Sequence, residues 1–152
     1  MTRRGLWAAL LAAALLASGC GGTDVEESNA YVEKVNLAQS SFSASFERLA
    51  REITRTSTPD QDRDTLRAIE QTLSTTTEDL RRIDPPEQVG DQHEQLVEAI
   101  AGYGAAISAA ADALGGSAQR ASEAQARLAA ETERTSTRVS SAVGAINRKL
   151  KE

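Results

Sequence analysis

Apolar residues that recur every three or four positions, with interruptions at three places, constrain the fold of this chain most. The interruptions are Pro59, the pair Pro85-Pro86 and the pair Gly115-Gly116. Proline removes a helical hydrogen bond and glycine favours helix ends, so each interruption predicts a turn. The apolar spacing between the turns is typical of helices, and it predicts four of them, at about 27–56, 59–83, 86–114 and 117–150.

The second of these stretches shows the pattern most clearly, because its inward positions are spaced like the first and fourth positions of a heptad. They are Leu66, Ile69, Leu73, Thr76, Leu80 and Ile83. Short turns favour antiparallel neighbours, so the predicted fold is all-α: an elongated, antiparallel, up-down-up-down four-helix bundle over residues 27–152 with heptad-like packing. A three-helix arrangement, or two splayed hairpins, is the alternative.

Two of the predicted turns carry signals for the start of a helix. Thr58 is a good N-cap, Pro59 suits the first helical position, and Gln61 stands where a capping box needs a glutamine. In the second turn, Asp84 is predicted to cap the next helix and Glu87 to return the bond. Both helices are therefore expected to begin directly at a proline.

The first 19 residues have the features of a secretory signal. Arg3 and Arg4 precede an apolar run at 6–17, and small residues follow it up to Cys20. The run is too short to span a bilayer, which needs about 20 apolar residues. We therefore expect residues 1–19 to be a signal that is removed on export.

The end of this leader, Leu16-Ala17-Ser18-Gly19-Cys20, resembles the lipobox of bacterial lipoproteins, although alanine stands at 17, where the family usually has leucine. The resemblance implies signal cleavage between Gly19 and Cys20 and a diacylglyceryl group on the Cys20 thiol. Residues 20–26 would then be the lipidated cysteine and a short tether that holds the domain at the extracytoplasmic face of the cell membrane. Ordinary secretion is the alternative. Cys20 is the only cysteine, so no internal disulfide can form.

Charge and composition exclude some partners. The leader holds two arginines and no acidic residue, so the 17 basic and 22 acidic residues of the chain become 15 against 22 after cleavage, a formal charge of −7. An acidic domain with 3% aromatic residues is unsuited to nucleic acid, which selects basic surfaces. The expected partners are the membrane, through the lipid on Cys20, and an envelope protein. The high content of alanine and arginine resembles that of actinobacterial proteins.

His93, the only histidine, and Tyr103, within Gly102-Tyr103-Gly104, are the candidate site residues of the folded part. His93 falls on the predicted seam of the third helix, where it would act as a metal ligand or pH sensor, or form a hydrogen bond with a neighbour. Two polar residues on the seam of the fourth helix, Thr132 and Thr135, are placed to line a small pocket beside Tyr103. The flanking glycines predict either a groove for a ligand or close helix packing.

No combination of residues in the sequence supports catalysis. With one histidine and no cysteine after position 20, we find neither a nucleophile with its base nor a cofactor or metal motif. The sequence therefore predicts a non-enzymatic module without a cofactor, first of all a protein-interaction or scaffold domain of the cell envelope. The alternative is a lipoprotein that binds a small ligand or a metal near His93 and Tyr103.

Overall fold

Four helices make up almost all of the structure, a computed structural model that describes residues 23–54 and 56–151. They are α1 (Thr23–Ala50), α2 (Pro59–Arg81), α3 (Gly90–Leu114) and α4 (Ala118–Lys149), and a 3-10 turn at Glu87–Val89 leads into α3. The described part of the chain contains no strand, so the prediction of an all-α fold with four helices is confirmed. At 1.5 Å per residue, the helices are about 35 to 48 Å long.

Each helix packs against the next one along the chain: α1 against α2, α2 against α3, and α3 against α4. Between α1 and α4, by contrast, no described Cα atoms approach within 8 Å. The seam between these two helices therefore lacks the close backbone packing of the consecutive pairs.

Two hydrophobic clusters form the core. The first cluster takes buried residues from all four helices, including Tyr31, Val35, Leu80 and Ile146. The second cluster takes them from α1, α2 and α3, and α4 adds only the half-buried Leu128. The buried apolar side chains of α4 are thus concentrated towards its carboxyl end, where three residues enter the core. They are Ala142, Val143 and Ile146.

The first helix differs from its predicted bounds at both ends. It begins at Thr23 rather than 27, so part of the predicted tether is helical, and it ends at Ala50 rather than 56. After its end, the Thr54 N–H donates to Ser57 Oγ at 3.0 Å and Ser57 Oγ donates to the Thr54 carbonyl at 2.8 Å. Serine and threonine side chains compete with helical backbone bonds in this way. Ile53, which lies beyond the end of α1, is consequently 40% exposed.

The start of α2 matches its prediction in detail. The Gln61 N–H donates to Thr58 Oγ1 at 3.3 Å, and the Thr58 N–H donates to Gln61 Oε1 at 2.8 Å, which completes the capping box. Pro59 occupies the first helical position, where its missing N–H costs nothing.

The predicted cap of the third helix is wrong. The chain enters α3 through a 3-10 turn in which the Val89 N–H donates to the Pro86 carbonyl at 2.9 Å, and no side chain caps either helical segment. Val89 is completely buried, so burial of this valine holds the turn in place of the expected bond between Asp84 and Glu87. The α-helix therefore begins at Gly90 rather than at 86.

No helix within the described ranges 23–54 and 56–151 is long and apolar enough to cross a membrane. The leader, with the predicted cleavage site at Gly19 and the lipidation site at Cys20, lies outside the described residues.

Candidate functional site

His93 lies in the first turn of α3, and both of its ring nitrogens have partners. Nε2 is 3.0 Å from the Leu80 carbonyl oxygen at the end of α2, and Nδ1 is 3.1 Å from the Tyr31 hydroxyl on α1. A carbonyl oxygen only accepts, so Nε2 carries the hydrogen and the neutral ring accepts at Nδ1 from the Tyr31 O–H. The contacts thereby set the tautomer of His93, and they join three helices through one side chain.

Burial keeps both members of this pair neutral. It lowers the pKa of His93 below its ordinary value of 6.5, and the hydrogen bond to the Leu80 carbonyl opposes that shift. Burial also raises the pKa of Tyr31 to about 12. The rings meet edge to face, with centroids 5.6 Å apart. The relay Tyr31–His93–Leu80 is therefore an uncharged structural link at neutral pH.

The contacts of His93 bear on its expected role as a metal ligand. A metal ion would have to displace either Tyr31 or the Leu80 carbonyl, because both ring nitrogens are engaged. Nowhere in the described part of the chain do three His, Cys, Asp or Glu side chains converge. Glu94 and Glu98 line a surface depression beside His93 together with Arg81 and Arg82.

Tyr103 lies in a separate part of the core. Its hydroxyl is 3.2 Å from Thr132 Oγ1, which itself donates to the Leu128 carbonyl at 2.8 Å, so Tyr103 is the donor to Thr132. Burial raises the pKa of Tyr103 above its ordinary value. Ten residues of helix separate Tyr103 from His93, about 15 Å along the axis. The structure therefore does not bring the two predicted site residues together.

A cavity of about 70 Å³ lies between these two polar contacts, and all four helices contribute to its wall. Tyr103 is part of that wall, and His93 is not. Every other lining residue is aliphatic or aromatic except Gln39, Thr76 and Thr135, and none carries a charge. The space exceeds the roughly 10–15 Å³ that one water needs, and it is below the roughly 150 Å³ of a cavity that admits benzene.

The polar groups of the cavity wall differ in what remains available for a ligand. Thr76 Oγ1 donates to the Thr72 carbonyl at 2.9 Å, and the Tyr103 hydroxyl is bonded to Thr132. Thr135 is 3% exposed, and its hydroxyl has no hydrogen-bond partner among the described residues. The Thr135 hydroxyl is therefore the group of the cavity wall that we consider for a hydrogen bond to a ligand.

Sequence reasoning found part of this site. Thr135 was expected to line a pocket beside Tyr103, and it does; Thr132 instead bonds the Tyr103 hydroxyl. The contribution of α1 was missed. Gln39 lies four residues after Val35 and three before Phe42, on the face that lines the cavity, and this spacing was the available signal.

No family model matches the chain, and neither a curated protein nor a solved structure matches it.

Proposed function

We propose that this chain is a lipoprotein of the bacterial cell envelope, held at the extracytoplasmic face of the membrane by lipid on Cys20. The lipobox-like residues 16–20 support the anchor. The first helix begins at Thr23, three positions after the cysteine, which leaves almost no tether. The helical domain would thus lie directly on the membrane surface.

We propose in addition that the four helices alternate in direction, up-down-up-down. Contacts between α2 and α3 support this order. Next to the turn, Leu80 meets His93, and far from the turn, Arg67 forms an ion pair with Asp112 at 3.3 Å. Residues of α2 near the turn thus contact residues of α3 near the turn, and residues far from the turn contact each other, as in an antiparallel pair.

For the domain itself we propose non-enzymatic binding of a small apolar ligand inside the bundle. The observation that carries this proposal is the uncharged, mostly apolar cavity that all four helices line. The other role expected from the sequence, docking of an envelope protein, has less support. A protein interface is usually marked by a contiguous apolar patch, whereas the exposed large hydrophobic residues of the described surface are the well-separated Leu37 and Ile53.

Filling the cavity tests the binding proposal. Val139 lines the cavity and its neighbour Ser140 is exposed, so Val139→Phe and Ser140→Phe add the same ring at an inner and an outer position. Stabilisation against heat by a panel of small apolar compounds should be lost in Val139→Phe and kept in Ser140→Phe. The proposal fails if no compound raises the melting temperature of the unsubstituted domain, or if both variants respond equally.

The anchor has its own test. Cys20→Ser should abolish incorporation of labelled fatty acid and release the protein from the membrane fraction, because a stable anchor needs the acyl chains. Ser18→Ala is the control, since it keeps a small residue in the leader and leaves the cysteine. Membrane retention of Cys20→Ser without label would rule out the lipid anchor.

A further inference from the structure

The cavity is long for its volume. Its lining residues run from Val35 to Phe46 on α1 and from Thr135 to Val143 on α4, which is about 16 Å and about 12 Å along the helices. A void of about 70 Å³ spread over such a length is narrow. Its shape matches an unbranched chain better than a ring, since a cavity that admits benzene measures roughly 150 Å³.

The seam between α1 and α4 is where a ligand would enter most easily. Lining residues on both sides of it are only half-buried, namely Gln39 and Phe42 on α1 and Val139 on α4. The backbones of these two described helices do not approach within 8 Å, so widening this seam breaks no close backbone packing. A ligand longer than the present void would be accommodated by a shift of α1 away from α4.

The wall of the cavity defines the chemistry of the ligand. Burying a charged group without a partner is costly, and no lining side chain is charged, so the enclosed part of the ligand is neutral. Thr135 lines the cavity, and no hydrogen bond of its hydroxyl is recorded among the described residues. An oxygen acceptor on the ligand would satisfy this hydroxyl.

We infer that the cavity binds an unbranched, uncharged alkyl chain that enters between α1 and α4 and presents one oxygen atom to the Thr135 hydroxyl. This inference rests on the proposed binding function and names its ligand class. A free fatty alcohol and the acyl ester of a membrane lipid share this chemistry, and a domain anchored at the membrane surface would meet both.

The experiment uses the chain from residue 20 onward with Cys20→Ser, so that no attached acyl chain competes. This form keeps all four helices and both core clusters. Methyl NMR of Val35, Val139 and Val143, which line the cavity, reports occupancy. The probes are 1-butanol, 1-hexanol, methyl hexanoate, cyclohexanol, benzene and hexanoate. Saturable shifts are expected for the linear alcohols, with a gain of roughly fourfold in affinity per added methylene.

Comparing the affinities of the probes distinguishes the shape of the preferred ligand and its chemical source. Cyclohexanol, benzene and the charged hexanoate should bind more weakly than 1-hexanol, because the void is narrow and its wall is uncharged. Binding of methyl hexanoate tighter than that of 1-hexanol assigns the site to acyl esters, and the reverse order assigns it to free alcohols; either order supports the inference.

A matched pair of variants tests the role of Thr135. Thr135→Val removes the hydroxyl and should weaken 1-hexanol binding roughly two- to tenfold, the effect of one hydrogen bond. Thr77→Val removes a buried hydroxyl that lies outside the cavity and already donates to the Leu73 carbonyl, so it should leave affinity unchanged. Should Thr135→Val prove unfolded, Thr135→Ser keeps the hydroxyl and must keep the affinity.

The outcomes separate this inference from the proposed function. If a ring compound binds as tightly as 1-hexanol, or if the two valine variants have equal affinities, the inference is overturned and apolar ligand binding stands. If no probe shifts the three valine methyl signals, the inference and the proposed function are both overturned.

Discussion

The Tyr31 hydroxyl donates to His93 Nδ1 across 3.1 Å, and this contact is possible because the Leu80 carbonyl, 3.0 Å from Nε2, holds the ring proton on the opposite side. If the ring takes up a second proton, Nδ1 becomes a donor and the Tyr31 hydroxyl loses its acceptor. The link between α1, α2 and α3 therefore depends on the neutral state of a single side chain.

The first prediction concerns acid. The folded-state pKa of His93 lies below its ordinary 6.5, so the unfolded chain binds a proton more readily than the folded chain. The free energy of unfolding should thus be unaffected by this group above pH 6.5 and should fall as the pH drops from 6.5 through the folded-state pKa. Urea denaturation at closely spaced pH values between 8 and 5 measures it.

His93→Gln is the control for this prediction. His93 is the only histidine, so no other side chain has an ordinary pKa in that range. The variant should be less stable at pH 8, and its free energy of unfolding should no longer fall with pH just below 6.5. If the free energy of unfolding changes equally with pH in both proteins, protonation of His93 does not weaken the fold.

A second prediction compares two buried tyrosines. Tyr31→Phe leaves His93 Nδ1 without a donor and should cost about 1–3 kcal/mol, as expected for a buried polar group without a partner. Tyr103→Phe should cost about 0.5–1.5 kcal/mol, because Thr132 keeps its bond to the Leu128 carbonyl. Chemical denaturation of both variants at pH 8 gives the two values. Equal losses would contradict the roles assigned to the hydroxyls.

Glycine substitutions supply a third prediction. A Cβ atom at Gly102 would meet nothing within 4 Å, and one at Gly104 would lie 3.7 Å from Leu73 Cβ, an ordinary contact. Gly102→Ala and Gly104→Ala should therefore each stabilise the protein by up to about 1 kcal/mol, the difference in helix propensity. Thermal denaturation provides the comparison. Loss of stability in Gly104→Ala would show that the packing of α3 on α2 requires glycine there.

Gly116→Ala is the control, because it places a Cβ atom 3.3 Å from the Ala113 carbonyl oxygen in the turn after α3. No gain in melting temperature is expected at this position. A gain as large as that of Gly102→Ala would mean that the turn relaxes easily.

A fourth prediction concerns the capping box of α2. Thr58→Ala removes the side chain that accepts from the Gln61 N–H and should cost about 1 kcal/mol. Thr75→Ala, on the exposed side of the same helix, removes a hydroxyl that bonds only the Gln71 carbonyl and should have little effect. Urea denaturation of the pair tests the cap, and equal effects of the two substitutions would argue against it.

Local features of the fold were predictable from the sequence. The spacing of Leu66, Ile69 and Leu73 placed them in the core, and the polar residues around Pro59 predicted the start of α2 to the residue. These signals depend on neighbours a few positions apart. The cap at Asp84 failed because Val89, several residues later, is buried so completely that the first turn becomes 3-10.

The candidate site was predictable only in fragments. His93 and Tyr103 were recognised as unusual residues, but they are about 15 Å apart along one helix and serve different contacts. The partner of His93 at Nδ1 is Tyr31, 62 positions away. Nothing in the local pattern around either residue indicates that pairing.

By itself, then, the sequence determined the number and order of the helices, the approximate positions of their turns and their apolar faces, since each of these follows from periodicity and turn chemistry within a few residues. Only the tertiary structure decided how α1 and α4 are spaced. That spacing depends on the summed volumes of side chains from four helices and on how each helix is rotated about its own axis. The cavity, with Thr135 in its wall, lies where those volumes leave the space between the helices incompletely filled.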